Sequence, residues 1–254
     1  MPPIFDTHFH IIDFRFPVSE NQGFMPPSFP VEDYRSRTAG LGIAGGVVVT
    51  GSFQTFDTAF LRDALAKFGP AFVGVAHLPS DIADAEILAL DAIGVRGVRF
   101  NLVRGGSAGI EDLDRVARRV FETARWHVEL YSHAKDLAAD AVFATVSGLP
   151  ATSIAHLGLS TEGLPTLLKL VERGMKVKAT GFGRIDTDPA PAIRAIVAAN
   201  PDALMFGSDL PSQRARRPFE PADIDLIRAS IDPALERKVF YDNAVAFYRP
   251  RERA

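Results

Sequence analysis

The sequence predicts an α/β fold, a closed (β/α)8 TIM barrel formed by a single domain of residues 1–254. Eight short apolar segments alternate with helical segments, which is typical of parallel βαβ units. The length of 254 residues is usual for one such barrel. No change in composition marks a linker between domains. An open, doubly wound sheet is the structural alternative, although no Gly-rich nucleotide-binding motif follows the first strand.

The predicted elements follow one another regularly along the chain. The first strand begins at Ile4, and seven further apolar segments are predicted strands: 45–50, 71–76, 95–102, 128–131, 153–155, 177–180 and 204–207. Helices are predicted at 31–38, after the potential cap Asp57, and at 82–93, 111–126, 164–173 and 190–199. Residues 12–30 are rich in Pro and Phe without periodicity, so we expect a long loop that forms a lid or a pocket wall.

Composition argues against several classes of protein. Hydrophobic residues make up 47% of the chain and charged residues 23%, so a core of normal size can be buried. The formal net charge is −3 and no long basic run occurs, which argues against nucleic acid or membrane partners. The absence of cysteine excludes disulfides, thiolate metal sites and a cysteine nucleophile. No secretory leader is recognisable, so we expect a cytoplasmic protein, and the sequence permits a homo-oligomer.

The motif Asp6-Thr7-His8-Phe9-His10 lies at the carboxyl end of the first strand. Alternate side chains of a strand share a face, so Asp6, His8 and His10 are expected to project together. Two neutral imidazoles at this spacing can bind one zinc-like cation. The alternative is that both are ordinary histidines with hydrogen-bond partners at a strand end.

Further polar side chains follow other strands at the end where active sites of (β/α)8 barrels lie. His156 follows strand six, Asp209 follows strand eight, and His133 lies just past strand five. A carboxylate placed like Asp209 can act as a metal ligand or general base, with helix capping as the structural alternative. Four more residues are candidates for binding a substrate carboxylate: Arg99, Asn101, Lys178 and Arg184. The alternative is that the three cationic residues among them are ordinary surface charges. The remaining histidines, His77 and His127, are expected to be structural.

The ordered combination of these motifs resembles the amidohydrolase superfamily. Four segments are similar to its amidohydrolase-2 branch, near the 2-pyrone-4,6-dicarboxylate hydrolases and sugar lactonases: residues 94–101, 178–181, 207–211 and 241–244. The resemblance covers nearly the whole chain. It implies a (β/α)8 barrel and, most often, hydrolysis of a C–O bond in a cyclic ester.

With this resemblance, we expect a lactonase-type hydrolase that acts on a small molecule. Its expected residues are Asp209 and His156 for catalysis; Arg99, Asn101, Lys178 and Arg184 for the substrate; and His8, His10, His133 and Asp209 for one divalent metal ion, with zinc expected. Lactonases of this branch are mixed in metal use, so a metal-free site in which the histidines donate hydrogen bonds is the alternative. Strand four lacks the Lys or Glu of binuclear relatives, which argues against two metals and against the TatD-like nucleases. A metal-dependent decarboxylase and a non-catalytic barrel that binds an organic acid are the alternative functions.

Overall fold

A barrel of parallel strands forms the centre of the molecule. The computed structural model describes residues 2–185 and 187–251, and in this part of the chain eight parallel strands pair in sequence order, each of the first seven with the strand that follows it. They are β1 (Ile4–Phe9), β2 (Ile43–Val49), β3 (Phe72–Ala76), β4 (Val95–Asn101), β5 (His127–Tyr131), β6 (Thr152–Ile154), β7 (Lys176–Ala179) and β8 (Leu204–Phe206). A parallel bridge between Phe9 and Leu210 joins the two edges. The predicted (β/α)8 barrel is therefore confirmed.

Helices surround the strands. They are α1 (Val31–Arg37), α2 (Ala59–Phe68), α3 (Asp84–Ile93), α4 (Leu113–Ala124), α5 (Asp140–Ser147), α6 (Leu164–Glu172), α7 (Ala190–Ala199), α8 (Pro221–Ser230) and α9 (Asn243–Tyr248). Helix α4 shows why such segments pack outside the barrel, because Leu113, Val116 and Val120 recur at helical spacing and are buried while Arg118 is exposed. None of the helices within the described residues is long and apolar enough to cross a membrane.

Aromatic side chains fill the amino-terminal end of the barrel. Phe5 stacks on Tyr248 of α9, with ring centroids 6.1 Å apart. The side chain of Asn243 fixes the start of α9 by donating hydrogen bonds to the carbonyls of Pro201 and Leu204 at 3.0 and 2.8 Å. The His127 ring lies 4.9 Å from that of Tyr248, at this end. The location of His127 agrees with a structural role and leaves the carboxyl end for a site.

Strand β1 does not alternate regularly along its length. Its pairing with β2 shifts in register between Asp6 and Phe9. The Asp6 carboxylate accepts hydrogen bonds from the Tyr34 hydroxyl at 3.0 Å and from the Ser208 N–H and hydroxyl at 2.8 and 2.6 Å. Phe9 stacks on the same Tyr34 ring at 3.8 Å. Asp6 therefore faces α1 and ties β1 to β8, and the expectation that it projects with the two histidines is wrong because of the register shift.

Candidate active site

A cavity opens at the carboxyl end of the barrel. Four arginines line it: Arg99, Arg104, Arg184 and Arg214. No carboxylate is among the described side chains of its wall. The positive charge of the wall favours an anionic ligand.

His8 and Asp209 converge with His10, which itself lines the cavity, at the base of this cavity. Their potential ligand atoms lie within 4.8 Å of one another, and all three side chains are buried. His10 Nδ1 lies 2.7 Å from the carbonyl oxygen of Val49, so this nitrogen carries a proton and donates it. Burial, together with nearby cations, holds the pKa of both histidines well below the ordinary range, which keeps them neutral. The neutral His10 ring therefore presents the lone pair of Nε2.

These three residues fit a divalent cation. His8 Nε2 is buried without a hydrogen-bond partner among the described residues and lies 3.8 Å from Asp209 Oδ1. A buried nitrogen of this kind is costly unless it binds something. Two imidazoles and a carboxylate are a common donor set of catalytic zinc. The cluster is thus chemically suited to hold one cation.

Asp209 follows β8 in a left-handed backbone conformation, with φ of 61°. The next helix, α8, begins only at Pro221, so the alternative role of Asp209 as a helix cap is wrong. Arg184 donates from Nε to Oδ2 at 2.7 Å and from Nη2 to Oδ1 at 3.2 Å. Burial raises the pKa of the Asp209 carboxyl above its ordinary value, and the Arg184 guanidinium opposes this rise. The oxygen with the longer bond, Oδ1, is the one that faces the histidines.

His156 also has a left-handed backbone, with φ of 53°, in the turn after β6. Its Nε2 lies 4.0 Å from Asp209 Oδ1, and its ring centroid lies 4.9 Å from that of His8. Gly181 permits this close approach, because a Cβ there would lie 2.4 Å from His156 Nδ1. Left-handed conformations of non-glycine residues cost about 1–3 kcal/mol each and concentrate at functional sites. Finding two of them here supports a functional role for the cluster.

The residues predicted to bind substrate divide into two groups. Arg99, Asn101 and Arg184 line the cavity. Lys178 does not line it: its side chain is fully buried, donates to the carbonyl of Thr7 at 2.7 Å and pairs with Glu129.

The structure does not bring His133 to the metal-binding candidates. Strand β5 ends at Tyr131, and the chain then turns into a 3₁₀ helix at Ala134–Ala138 that His133 precedes. Among the residues described, the group with converging ligand atoms contains His8, His10 and Asp209. His77 is buried after β3 and does not line the cavity, as expected of a structural histidine.

Sequence reasoning missed Glu129, Arg104 and Arg214. Glu129 is a carboxylate in the middle of an apolar strand, two residues before Tyr131, and this was a detectable signal of a polar barrel interior. Arg104 and Arg214 lie in loops after β4 and β8, where a basic residue looks like an ordinary surface charge.

The long loop before α1 forms part of the cavity wall. Phe24 lines the cavity, and the guanidinium of Arg214 lies 4.6 Å from its ring centroid. Asn21 fastens the loop, because its side chain accepts hydrogen bonds from Ser52 and Arg214, both at 3.1 Å, and donates to the carbonyl of Arg104 at 3.1 Å. The predicted pocket wall is therefore confirmed, and one side chain connects it to the loops after β2, β4 and β8.

Comparisons with known proteins place these features in context. A family model described as amidohydrolase matches residues 5–249. A 4-sulfomuconolactone hydrolase from Hydrogenophaga intermedia is 27% identical, covering 96% of this chain and 88% of that protein. A 2-pyrone-4,6-dicarboxylate hydrolase from Comamonas testosteroni is also 27% identical, covering 97% and 90%. A solved structure of a probable 2-pyrone-4,6-dicarboxylic acid hydrolase from Acinetobacter baumannii, with citric acid bound, has a TM-score of 0.83 at 21% identity, covering 97% and 99%.

Proposed function

The chain belongs to the amidohydrolase family, and from this membership we propose that it is a hydrolase that opens the ring of a lactone bearing anionic groups. The observation that carries the proposal is the buried Asp209 carboxylate below a cavity lined by four arginines. The two curated relatives described above are lactone hydrolases whose named substrates carry carboxylate or sulfonate groups. The chain acts as a single catalytic domain in this proposal.

Asp209 is the general base of the proposed reaction. Its Oδ1 takes a proton from a water molecule as the water oxygen forms a bond to the lactone carbonyl carbon. The bond between that carbon and the ring oxygen then breaks, and the protonated Asp209 returns its proton to the ring oxygen. The product is a hydroxy acid, and one water molecule has been added.

His156 serves as a hydrogen-bond donor in this scheme. Its Nε2 lies 4.0 Å from the base, close enough to reach the carbonyl oxygen of a substrate attacked beside Asp209. A donor held rigidly at that oxygen stabilises the negative charge that develops there. His10 is unsuited to this role, because its Nδ1 proton is used on Val49 and its Nε2 carries a lone pair.

Arginines anchor the anionic groups of the substrate. Arg99 and Arg184 line the inner part of the cavity beside the base, with Asn101 as a further polar contact. Arg104 and Arg214 belong to the loops that form its wall. Guanidinium groups bind carboxylates and sulfonates through paired hydrogen bonds, which fixes the ring relative to the attacking water.

We assign one divalent cation, zinc, to the cluster below the cavity. His8, His10 and Asp209 would hold it, and His133 is left out because the structure does not bring it to the cluster. Zinc is preferred because its catalytic sites combine imidazole and carboxylate donors with an open position. When bound, the cation supplies polarisation of the carbonyl and a lowered pKa of water.

Product analysis in ¹⁸O-labelled water tests the proposal. With 2-pyrone-4,6-dicarboxylate or 4-sulfomuconolactone as the probe, we expect a ring-opened product with one ¹⁸O atom in the new carboxylate and no carbon dioxide. Release of carbon dioxide would identify a decarboxylase instead. Binding of both probes in calorimetry without any turnover would favour a non-catalytic barrel that binds organic acids.

A further inference from the structure

A buried ionic cluster lies inside the barrel near the candidate base. Glu129 on β5 and Lys178 on β7 are fully buried, and Arg99 on β4 is 3% exposed. Lys178 Nζ pairs with Glu129 Oε2 and donates to the Thr7 carbonyl at 2.7 Å, while Arg99 Nε lies 3.2 Å from Glu129 Oε1. Glu129 and Lys178 do not line the cavity. Direct contact with a substrate therefore does not account for them.

Stability alone does not account for the cluster either. Taking several charges out of water is expensive, and well-packed apolar residues of similar size often stabilise a protein as much or more. The cluster does contact His8, because His8 Nδ1 lies 3.5 Å from Glu129 Oε1 and 3.4 Å from Lys178 Nζ. Glu129 Oε1 is a buried acceptor without a hydrogen bond in the described part of the chain. A proton on His8 Nδ1 would supply a donor to this oxygen, and Lys178 Nζ is the competing partner of the same nitrogen.

Resting on the proposed function, we infer that Glu129 is a positioning residue that holds the proton of His8 on Nδ1. A neutral imidazole carries one proton, and the partner of one ring nitrogen decides which of the two carries it. With Nδ1–H directed at Glu129, His8 presents the lone pair of Nε2 toward Asp209, 3.8 Å away. Lys178 pairs with Glu129 and holds its side chain in place.

The opposite tautomer would obstruct the reaction. Lys178 would then donate to His8 Nδ1, and a proton on Nε2 would point at Asp209 Oδ1 and occupy the base. The neighbouring His10 shows the arrangement that we infer for His8, since its Nδ1 donates to the Val49 carbonyl at 2.7 Å. With both rings fixed in this way, two lone pairs face the position of the attacking water or a cation, and no proton of His8 or His10 competes for Asp209 Oδ1, which already accepts the 3.2 Å hydrogen bond from Arg184.

Two variants distinguish a positioning role of Glu129 from a contribution to the charge balance of the buried cluster. Glu129→Gln keeps the shape but loses the acceptor charge, and we expect kcat to fall about 10- to 100-fold with KM within about twofold of wild type. Because this variant leaves Lys178 and Arg99 without the Glu129 charge, we also expect it to lose stability. The double variant Glu129→Gln/Lys178→Met also removes the charge of Lys178 and leaves Arg99 as the remaining charge of the cluster, so we expect its urea unfolding midpoint to lie above that of Glu129→Gln while kcat stays low. Asp91→Asn, which alters an ion pair with Arg96 on the outside of the barrel, is the matched control and leaves kcat unchanged.

Nitrogen-15 NMR of histidine-labelled protein reads the tautomer directly. The His8 signals are assigned by their absence from the His8→Gln spectrum, and we expect the proton of wild-type His8 on Nδ1, with this preference lost in the double variant. A wild-type proton on Nε2, or wild-type kcat in a stable double variant, would overturn the inference. The NMR measurement needs no substrate, so it decides the role of Glu129 even if neither lactone is turned over, an outcome that would refute only the proposed function.

Discussion

The ion pair between Arg184 and Asp209 lowers the pH below which the proposed activity is lost. A general base acts only when ionised, so activity is present above the pKa of Asp209 and is lost as the pH falls through it. Burial raises this pKa above the ordinary aspartate value, while Arg184 is the largest influence that lowers it. Removing the guanidinium destabilises the ionised form, so the pKa rises. We therefore expect Arg184→Met to move the acid limb of kcat/KM to higher pH.

The size of this shift follows from the two hydrogen bonds, at 2.7 and 3.2 Å, that Arg184 donates to the carboxylate. A hydrogen bond to a charged group contributes about 1.5–3 kcal/mol, and one pKa unit corresponds to about 1.4 kcal/mol. Complete loss of both bonds sets an upper bound of about 2–4 units. Water that enters the space of the guanidinium compensates in part, so we expect a shift of about 1–2 units.

The assay is the pH profile of kcat/KM on 2-pyrone-4,6-dicarboxylate. Arg184→Met also weakens substrate binding and lowers the whole profile, so the position of the acid limb is the measured quantity. Arg217→Met is the matched control, because Arg217 pairs with Asp223 and does not line the cavity. If Arg184→Met retains measurable activity with its acid limb at the wild-type pH, the assignment of Asp209 as the base is refuted.

Three further predictions concern the metal, the substrate and the fold. Elemental analysis should find about one zinc per chain that His10→Ala loses, together with the activity; a fully active metal-free protein would count against the cation. Arg214→Met should raise KM about tenfold, the effect of one lost charge-assisted hydrogen bond, and an unchanged KM would remove Arg214 from the anion site. Ser208→Ala should lower the free energy of unfolding in urea by about 1–3 kcal/mol, because the buried Asp6 carboxylate loses a hydroxyl donor at 2.6 Å. Wild-type stability of that variant would show that Ser208 does not tie β1 to β8.

The barrel could be predicted because the sequence pattern that indicates it is local. Parallel neighbours need a crossover connection, so apolar segments that alternate with helices already describe a β/α barrel. The structure also brings together four residues singled out from their positions after strands, namely His8, His10, His156 and Asp209. Their catalytic and metal-binding roles stay predictions.

Other features depended on partners that are distant in sequence. Lys178 looked like a substrate anchor, but its partner Glu129 reaches it from another strand of the barrel. Asp6 was assigned to the wrong face because a register shift inside β1 has no mark in the sequence. The position of His133 depends on the direction of the chain after β5, and two loop residues were enough to change that direction.

The most direct test of the proposed function is the turnover of 2-pyrone-4,6-dicarboxylate and 4-sulfomuconolactone by wild-type protein and by Asp209→Asn. Loss of a general base typically lowers the rate by a factor of about 10² to 10⁴. We expect a loss of this size with the circular dichroism spectrum of the variant unchanged. Wild-type turnover by a folded Asp209→Asn protein would contradict the account.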